Sequence, residues 1–276
     1  MNAHSLFLAF SLFATSICCA SVSCAQESKV SPLTVGQSVV FQSSILNEER
    51  TLNVYLPQSY SQKTAHKYPV IYLLDGSLDE DFVHIAGLTQ FGSFSWIEML
   101  PEAIVVGLAN VDRKRDFTSP PTDEKDKLEF PTAGGSGKFM KMLSQEVQPL
   151  IQKLYRVNGK RTIIGQSLGG LLATEILLKR PELFDNYIII SPGLWWDNRS
   201  LLELKLPEFQ KPHSVFVGVG KEGDVMEQLA KELFSKLEKN RSDRFQVHFQ
   251  HFPKLDHGDT LHLAVYAAFE KLFSQK

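Results

Sequence analysis

Residues Gly165-Gln166-Ser167-Leu168-Gly169 spell G-x-S-x-G, set between an apolar run at 162–164 and an apolar helical stripe that begins at Leu168. The pattern alone is weak, and its setting between a buried strand and a helix is what gives it weight. Glycines at both ends permit a sharp turn that lifts a serine oxygen above a sheet edge. The helix that follows aims its first amides at any oxyanion formed there. The expected chemistry is nucleophilic attack by Ser167, with the Leu168 amide as one oxyanion donor.

Such a serine needs a base on a loop further along the chain. Of the eight histidines, His4 lies in the first 25 residues, and His66 and His84 precede the serine. His213 opens a strand, His248 and His251 lie in or at the end of one, and His262 falls in the last helix. His257, in Lys254-Leu255-Asp256-His257-Gly258-Asp259, follows the last strand and precedes the last helix, where the order serine, acid, histidine places the base. The acid should follow the penultimate strand, and Lys221-Glu222-Gly223-Asp224 offers two candidates. Glu222 is preferred; Asp224 has an alternative role as a helix cap. A second oxyanion donor should come from the loop after an earlier strand. There Asp75-Gly76-Ser77 makes the Ser77 amide the candidate, with Gly76 next.

Two further glycine-rich stretches look like nucleotide motifs and fail on context. Residues 218–223 read G-x-G-x-x-G but stand near the chain end, without an acid about 20 residues on. Residues 134–138 resemble a phosphate loop, but Thr132 occupies the place of its first glycine and Phe139 that of its Ser/Thr. No His and carboxylate set has metal-ligand spacing, so no metal or cofactor is expected.

The elements that must position these residues are readable from periodicity. Residues 38–43 and 51–56 alternate, with a turn at Asn47-Glu48-Glu49-Arg50, as an antiparallel hairpin does. Continuous apolar runs at 70–74, 103–106, 162–164, 187–190, 215–219 and 245–252 read as strands buried on both faces. Helical stripes run through Phe139–Leu154, Leu168–Leu177, Met226–Leu237 and Leu263–Phe273. Alternating strands and helices predict an α/β fold with a mostly parallel central sheet, the amino-terminal hairpin and helices on both faces. One domain is expected over 26–276. Residues 112–138, with three prolines and three glycines, read as one long irregular loop.

Composition narrows the rest. With 29 basic and 31 acidic residues the net charge is −2, which gives no field to hold nucleic acid or an anionic surface. Residues 1–25 lack Lys, Arg, Asp and Glu. Their apolar run at 6–17 is too short to span a bilayer, and it ends in Ser21-Val22-Ser23-Cys24-Ala25, so they read as a cleaved export signal with Ser23 and Ala25 at −3 and −1. The expected location is periplasmic or secreted. Lipid anchoring through Cys24 is disfavoured by Ser21 three places before it. All three cysteines, Cys18, Cys19 and Cys24, fall in this segment, so the exported chain would have no disulfide, thiolate metal site or cysteine nucleophile.

Taken together, the chain resembles the esterase family of the α/β-hydrolase superfamily, most of all the IroE-like siderophore (enterochelin) esterases. The likeness rests on Tyr72-Leu73-Leu74-Asp75-Gly76, Val106-Gly107-Leu108-Ala109-Asn110, Arg113 and Arg115-Asp116-Phe117-Thr118. It continues in Gly134-Gly135 with Phe139, residues 165–170, Ser191-Pro192-Gly193-Leu194-Trp195-Trp196 and Gly220-Lys221-Glu222. The resemblance implies a serine hydrolase acting on carboxylic esters, with siderophore or aryl esters among the substrates. It supports Ser167, His257 and the Ser77 amide, and leaves open whether a Ser–His dyad suffices without Glu222. It also suggests Arg113 and Arg115 as substrate-binding, against ion pairing with Asp112 or Asp116. Trp195 would flank an aromatic acyl group or, by preference, pack. An acyltransferase, or a non-catalytic extracellular binding protein on the same scaffold, are the competing readings.

Overall fold

The continuous apolar runs become the interior of one eight-stranded sheet. In the computed structural model, residues 28–274 are described, and everything from Thr34 onward belongs to one compact unit. The expected export segment and its three cysteines lie outside the described residues. The strands are β1 (Gln37–Ser43), β2 (Glu48–Tyr55), β3 (Tyr68–Leu73), β4 (Ile104–Leu108), β5 (Val157–Gln166), β6 (Asn186–Ile190), β7 (His213–Gly220) and β8 (Phe245–Phe252). They lie in the order β1-β2-β4-β3-β5-β6-β7-β8. β1, β2 and β4 pair antiparallel, and from β4 to β8 every pairing is parallel.

Alternate residues of each strand supply two cores, one on each sheet face. Val70, Tyr72, Val106, Ile163, Ile189 and Val217 face α4 (Ser136–Met142), α5 (Gln148–Leu154), α6 (Leu168–Lys179) and α8 (Asp224–Glu238). Ile71, Leu73, Val105, Ile164, Ile188 and Phe216 face α1 (Phe82–Gly92) and α9 (Thr260–Phe273). Each fully buried Phe or Leu on these faces stabilises the fold by roughly 1.5–3 kcal/mol. The central strands are buried on both sides, so polar side chains that do chemistry collect at their carboxyl ends.

Several local expectations need correction. The hairpin turn is Ser44–Asn47 rather than Asn47–Arg50, because Glu146 takes the Ser44 and Ile45 amides at 2.8 and 3.2 Å and both nearby hydroxyls. Arg50 is a strand residue, buried against Asp116 at 2.7 Å. Residues 112–138 are not one loop: α2 (Arg113–Phe117) and α3 (Glu124–Glu129) form inside them. Each is capped by the aspartate just before it, Asp112 onto the Arg115 amide and Asp123 onto the Lys125 and Asp126 amides. The stripe over Phe139–Leu154 holds, but α4 and α5 are joined by a π turn, Leu143–Val147. Pro149, at the start of α5, has no N–H to give to the carbonyl four residues back, and the wider turn absorbs that. Finally α1, and α7 (Trp196–Glu203) with its left-handed residues Asp197, Asn198 and Arg199, were not expected.

Candidate active site

Ser167 stands on the turn from β5 to α6 with φ 58° and ψ −117°, a conformation that L-residues rarely adopt. The surroundings enforce it. A Cβ on Gly165 would lie 2.4 Å from the Gly169 carbonyl oxygen, so no other residue fits there. The Ser167 amide donates to Ile190 O at 3.1 Å, and its carbonyl accepts from Gly193 N at 2.9 Å, tying the turn to β6. Two neighbouring strands end in the same way: Asp75 after β3 has φ 55°, and Ser191 after β6 has φ 43°. Three adjacent central strands therefore each end on a left-handed residue that is not glycine.

His257 lies on the loop between β8 and α9. Asp256 shapes that loop, accepting from the Gly258 amide at 2.8 Å, and Gln166 holds it by donating from Nε2 to the His257 carbonyl at 2.6 Å. His257 Nδ1 meets Glu222 Oε2 at 2.5 Å, and Asp224 takes no part in that contact. The Glu222 side chain is 2% exposed. Its other oxygen accepts from the Gly220 amide at 2.8 Å and from Ser191 Oγ. Burial alone would push this carboxyl up, but the hydrogen bonds from His257, Ser191 and Gly220 outweigh it and hold it below the ordinary value. The same bond from Glu222 raises His257 above its usual range, against a smaller lowering by burial. Ser191 and Gln166 were not singled out as site residues; only their places beside a strand end and the serine hint at these contacts.

A cavity of about 400 Å³ is lined by Ser167, Gln166, His257 and Gly258 and, as a second stretch of wall from the β3–α1 turn and α2, by Asp75, Glu80, Asp81 and Arg113. No hydrogen bond joins Ser167 Oγ to the His257 ring among the described residues, a looseness common in unliganded hydrolases. Two other cavities have different surroundings. One of about 390 Å³ at the amino ends of the parallel strands, near Ile71, Thr162 and Ser214, is mostly apolar and includes neither Ser167 nor His257. The other, of about 370 Å³, is lined by Trp195 with Arg199 and Val225.

The remaining expected residues divide. Leu168 opens α6, and its amide is one of the N-terminal group without an intrahelical acceptor. The Ser77 amide is not free: it donates to Glu80 Oε2 at 3.1 Å. Ser77-Leu78-Asp79-Glu80 is the S-x-x-E pattern in which a glutamate reaches back to the amide three residues earlier. Gly76 is no substitute, since its amide donates to Leu108 O at 3.0 Å. Arg113 reaches the cavity, but it grips both oxygens of Asp75 at 2.6 and 2.9 Å and the Gln166 carbonyl at 3.3 Å. Arg115 is not at the cavity: its guanidinium is taken by Glu48 at 2.9 and 2.6 Å and by Asp116 at 2.8 Å, the ion-pair alternative. Trp195 also lies outside it, packed against Phe130 and Trp196. Phe94 and Trp96 stack on each other, Phe91 packs against Phe94, and none of the three lines the cavity.

A mostly parallel sheet with a strained serine after a central strand, and a histidine after the last, is α/β-hydrolase architecture. Residues 43–274 match the family described as “Putative esterase”, and the chain belongs to it. The ferri-bacillibactin esterase BesA of Bacillus subtilis (strain 168) is 31% identical over 183 residues, covering 62% of this chain and 63% of BesA. A siderophore enterobactin esterase of Emericella nidulans is 36% identical over 99 residues, 33% of each. The matches therefore span less than two thirds of either curated relative. Among solved structures, an IroE-like serine hydrolase from Shewanella oneidensis has a TM-score of 0.77 and 28% identity, over 86% of this chain and 80% of that one.

Proposed function

We propose that the protein is an exported serine esterase that hydrolyses a carboxylic ester through an acyl-serine intermediate. The observation that carries this reading is the hydrogen bond that joins Glu222 to His257, a residue lining the same cavity as Ser167. His257 takes the Ser167 proton as the oxygen attacks the ester carbonyl, and Glu222 steadies the imidazolium. The Leu168 amide receives the oxyanion, and the Ser77 amide, which Glu80 engages in the free protein, is the second donor proposed. His257 then protonates the departing alcohol. Water, deprotonated by the same histidine, releases the acid and restores Ser167.

Siderophore or aryl esters are the proposed substrate class, supported by the ferri-bacillibactin and enterobactin esterases among the relatives. Export is supported by the apolar, uncharged first 25 residues and their Ser23/Ala25 cleavage pattern. Among the described residues no helix is long and apolar enough to cross a membrane.

Ser167→Ala is expected to abolish hydrolysis of p-nitrophenyl esters and labelling by a fluorophosphonate. Labelling retained in that variant overturns the nucleophile. A panel of p-nitrophenyl esters of rising length, feruloyl esters and a catecholate trilactone then ranks substrates. An amino terminus at Gln26 in periplasmic material checks the export reading.

A further inference from the structure

The stretch of cavity wall built by the β3–α1 turn and α2 is acidic. Asp75, Glu80 and Asp81 line it against one cation, Arg113, and the Arg113–Asp75 pairing leaves that pair neutral. Glu80 accepts hydrogen bonds from neutral donors, the Ser77 amide and Asn110 Nδ2 at 2.8 Å, and has Arg113 only as a through-space neighbour that it shares with Asp75 and Asp81. Hydrogen bonds keep its carboxyl below the ordinary value, although burial works against them. The Asp81 carboxylate is half-buried and caps no helix amide, although it stands just before α1. Burial, then its neighbours Asp75 and Glu80, push that carboxyl up to about 6. Three carboxylates against one guanidinium therefore line the cavity that holds the nucleophile, in a chain whose overall charge is close to zero.

We propose that Asp81, seconded by Glu80, determines specificity, so that the cavity takes an ester carrying a cationic group of the ammonium type close to the scissile carbonyl and disfavours an anion there. This rests on the reading of Ser167 and His257 as the reacting pair and narrows its substrate class. A half-buried carboxylate without a donor is desolvated at a loss, which a bound cation reverses. An anion entering the same space gains no free guanidinium, because Arg113 is committed to Asp75. Within the siderophore-ester reading, a metal-free or amine-bearing ester suits the wall, and a ferric tris-catecholate, itself an anion, does not.

The test uses three fluorophosphonate probes identical except for a terminal trimethylammonium, tert-butyl or carboxylate group. Second-order labelling of Ser167 is followed by intact mass on the full exported chain. The cationic probe is expected to react about tenfold faster than the neutral one, and the anionic probe more slowly still, with the spread shrinking as salt rises. Asp81→Asn should flatten the order and Asp81→Glu should preserve it. Both are judged by ratios within each variant, so a general loss of activity does not enter. Equal rates, or a faster anionic probe, overturn the proposal. Failure of every probe to label the wild-type protein overturns the nucleophile reading instead.

Discussion

The two walls of the cavity are built on different principles. On the Ser167 side, four distant segments are linked through backbone and side-chain hydrogen bonds: Gln166 to the His257 carbonyl, His257 to Glu222, and Glu222 to Gly220 and Ser191. On the second wall, four charged residues from the β3–α1 turn and α2 meet, and among the described residues Asp81 is left without a donor. The first wall is cross-tied by these bonds, and the proposed hydrolysis rests on it. The second has an uneven charge of its own, so it sets what the reaction is performed on. Damage to the first should appear in kcat for every substrate, and damage to the second in the ranking of substrates.

The largest effect should come from the acid. Glu222→Ala is expected to lower kcat by about 10² to 10⁴, while Asp224→Ala leaves it within about twofold. Steady-state kinetics on one p-nitrophenyl ester suffices, and a larger loss for Asp224→Ala would reverse the assignment. A second consequence is in pH. The base must be neutral, so activity falls as pH drops through the folded pKa of His257, which Glu222 raises above 6.5. The acid limb of kcat/KM should therefore lie above pH 6.5 in the wild type and move down in Glu222→Gln, where the charge that holds the proton is gone.

Smaller still is Ser191→Ala, expected to lower kcat about three- to tenfold with KM little changed. Oε1 would keep only the Gly220 amide, and the carboxylate would be less firmly aimed. Least of all, Trp195→Phe, outside the cavity, should change kcat/KM by less than about twofold for aryl and alkyl esters alike. A selective loss on aryl esters would return Trp195 to the acyl site.

The sequence made the first wall readable and the second nearly opaque, for a physical reason. Ser167 and His257 stand at strand–helix junctions whose apolar flanks announce them, and Glu222 stands just past a glycine-ended strand. Arg113, Arg115 and Asp116 are neighbours in sequence with the same polar character, yet the fold sends Arg113 to the cavity and Arg115 to Glu48. Only the tertiary position of β2, which brings Glu48 alongside α2, decides between them. The commitment of the Ser77 amide to Glu80 is legible in the S-x-x-E spacing, which competes with its expected oxyanion role. The α1 helix was missed because Gly87 and Thr89 weaken its propensity, although Phe82, Ile85, Ala86 and Thr89 fall on one buried face. The extra residue in the turn before Pro149 leaves no mark on the apolar spacing.

Asp75, Ser167 and Ser191 hold left-handed conformations side by side, and each such residue costs about 1–3 kcal/mol. The carboxyl edge of the sheet therefore works as a loaded spring whose release can be measured without substrate. Ser167→Gly gives the turn a residue that accepts positive φ, whereas Ser167→Ala keeps the strain, although both lack the nucleophile. The glycine variant should melt a few degrees higher than the alanine variant. An inactive protein more heat-resistant than its equally inactive sibling would register how far this fold trades durability for a poised hydroxyl.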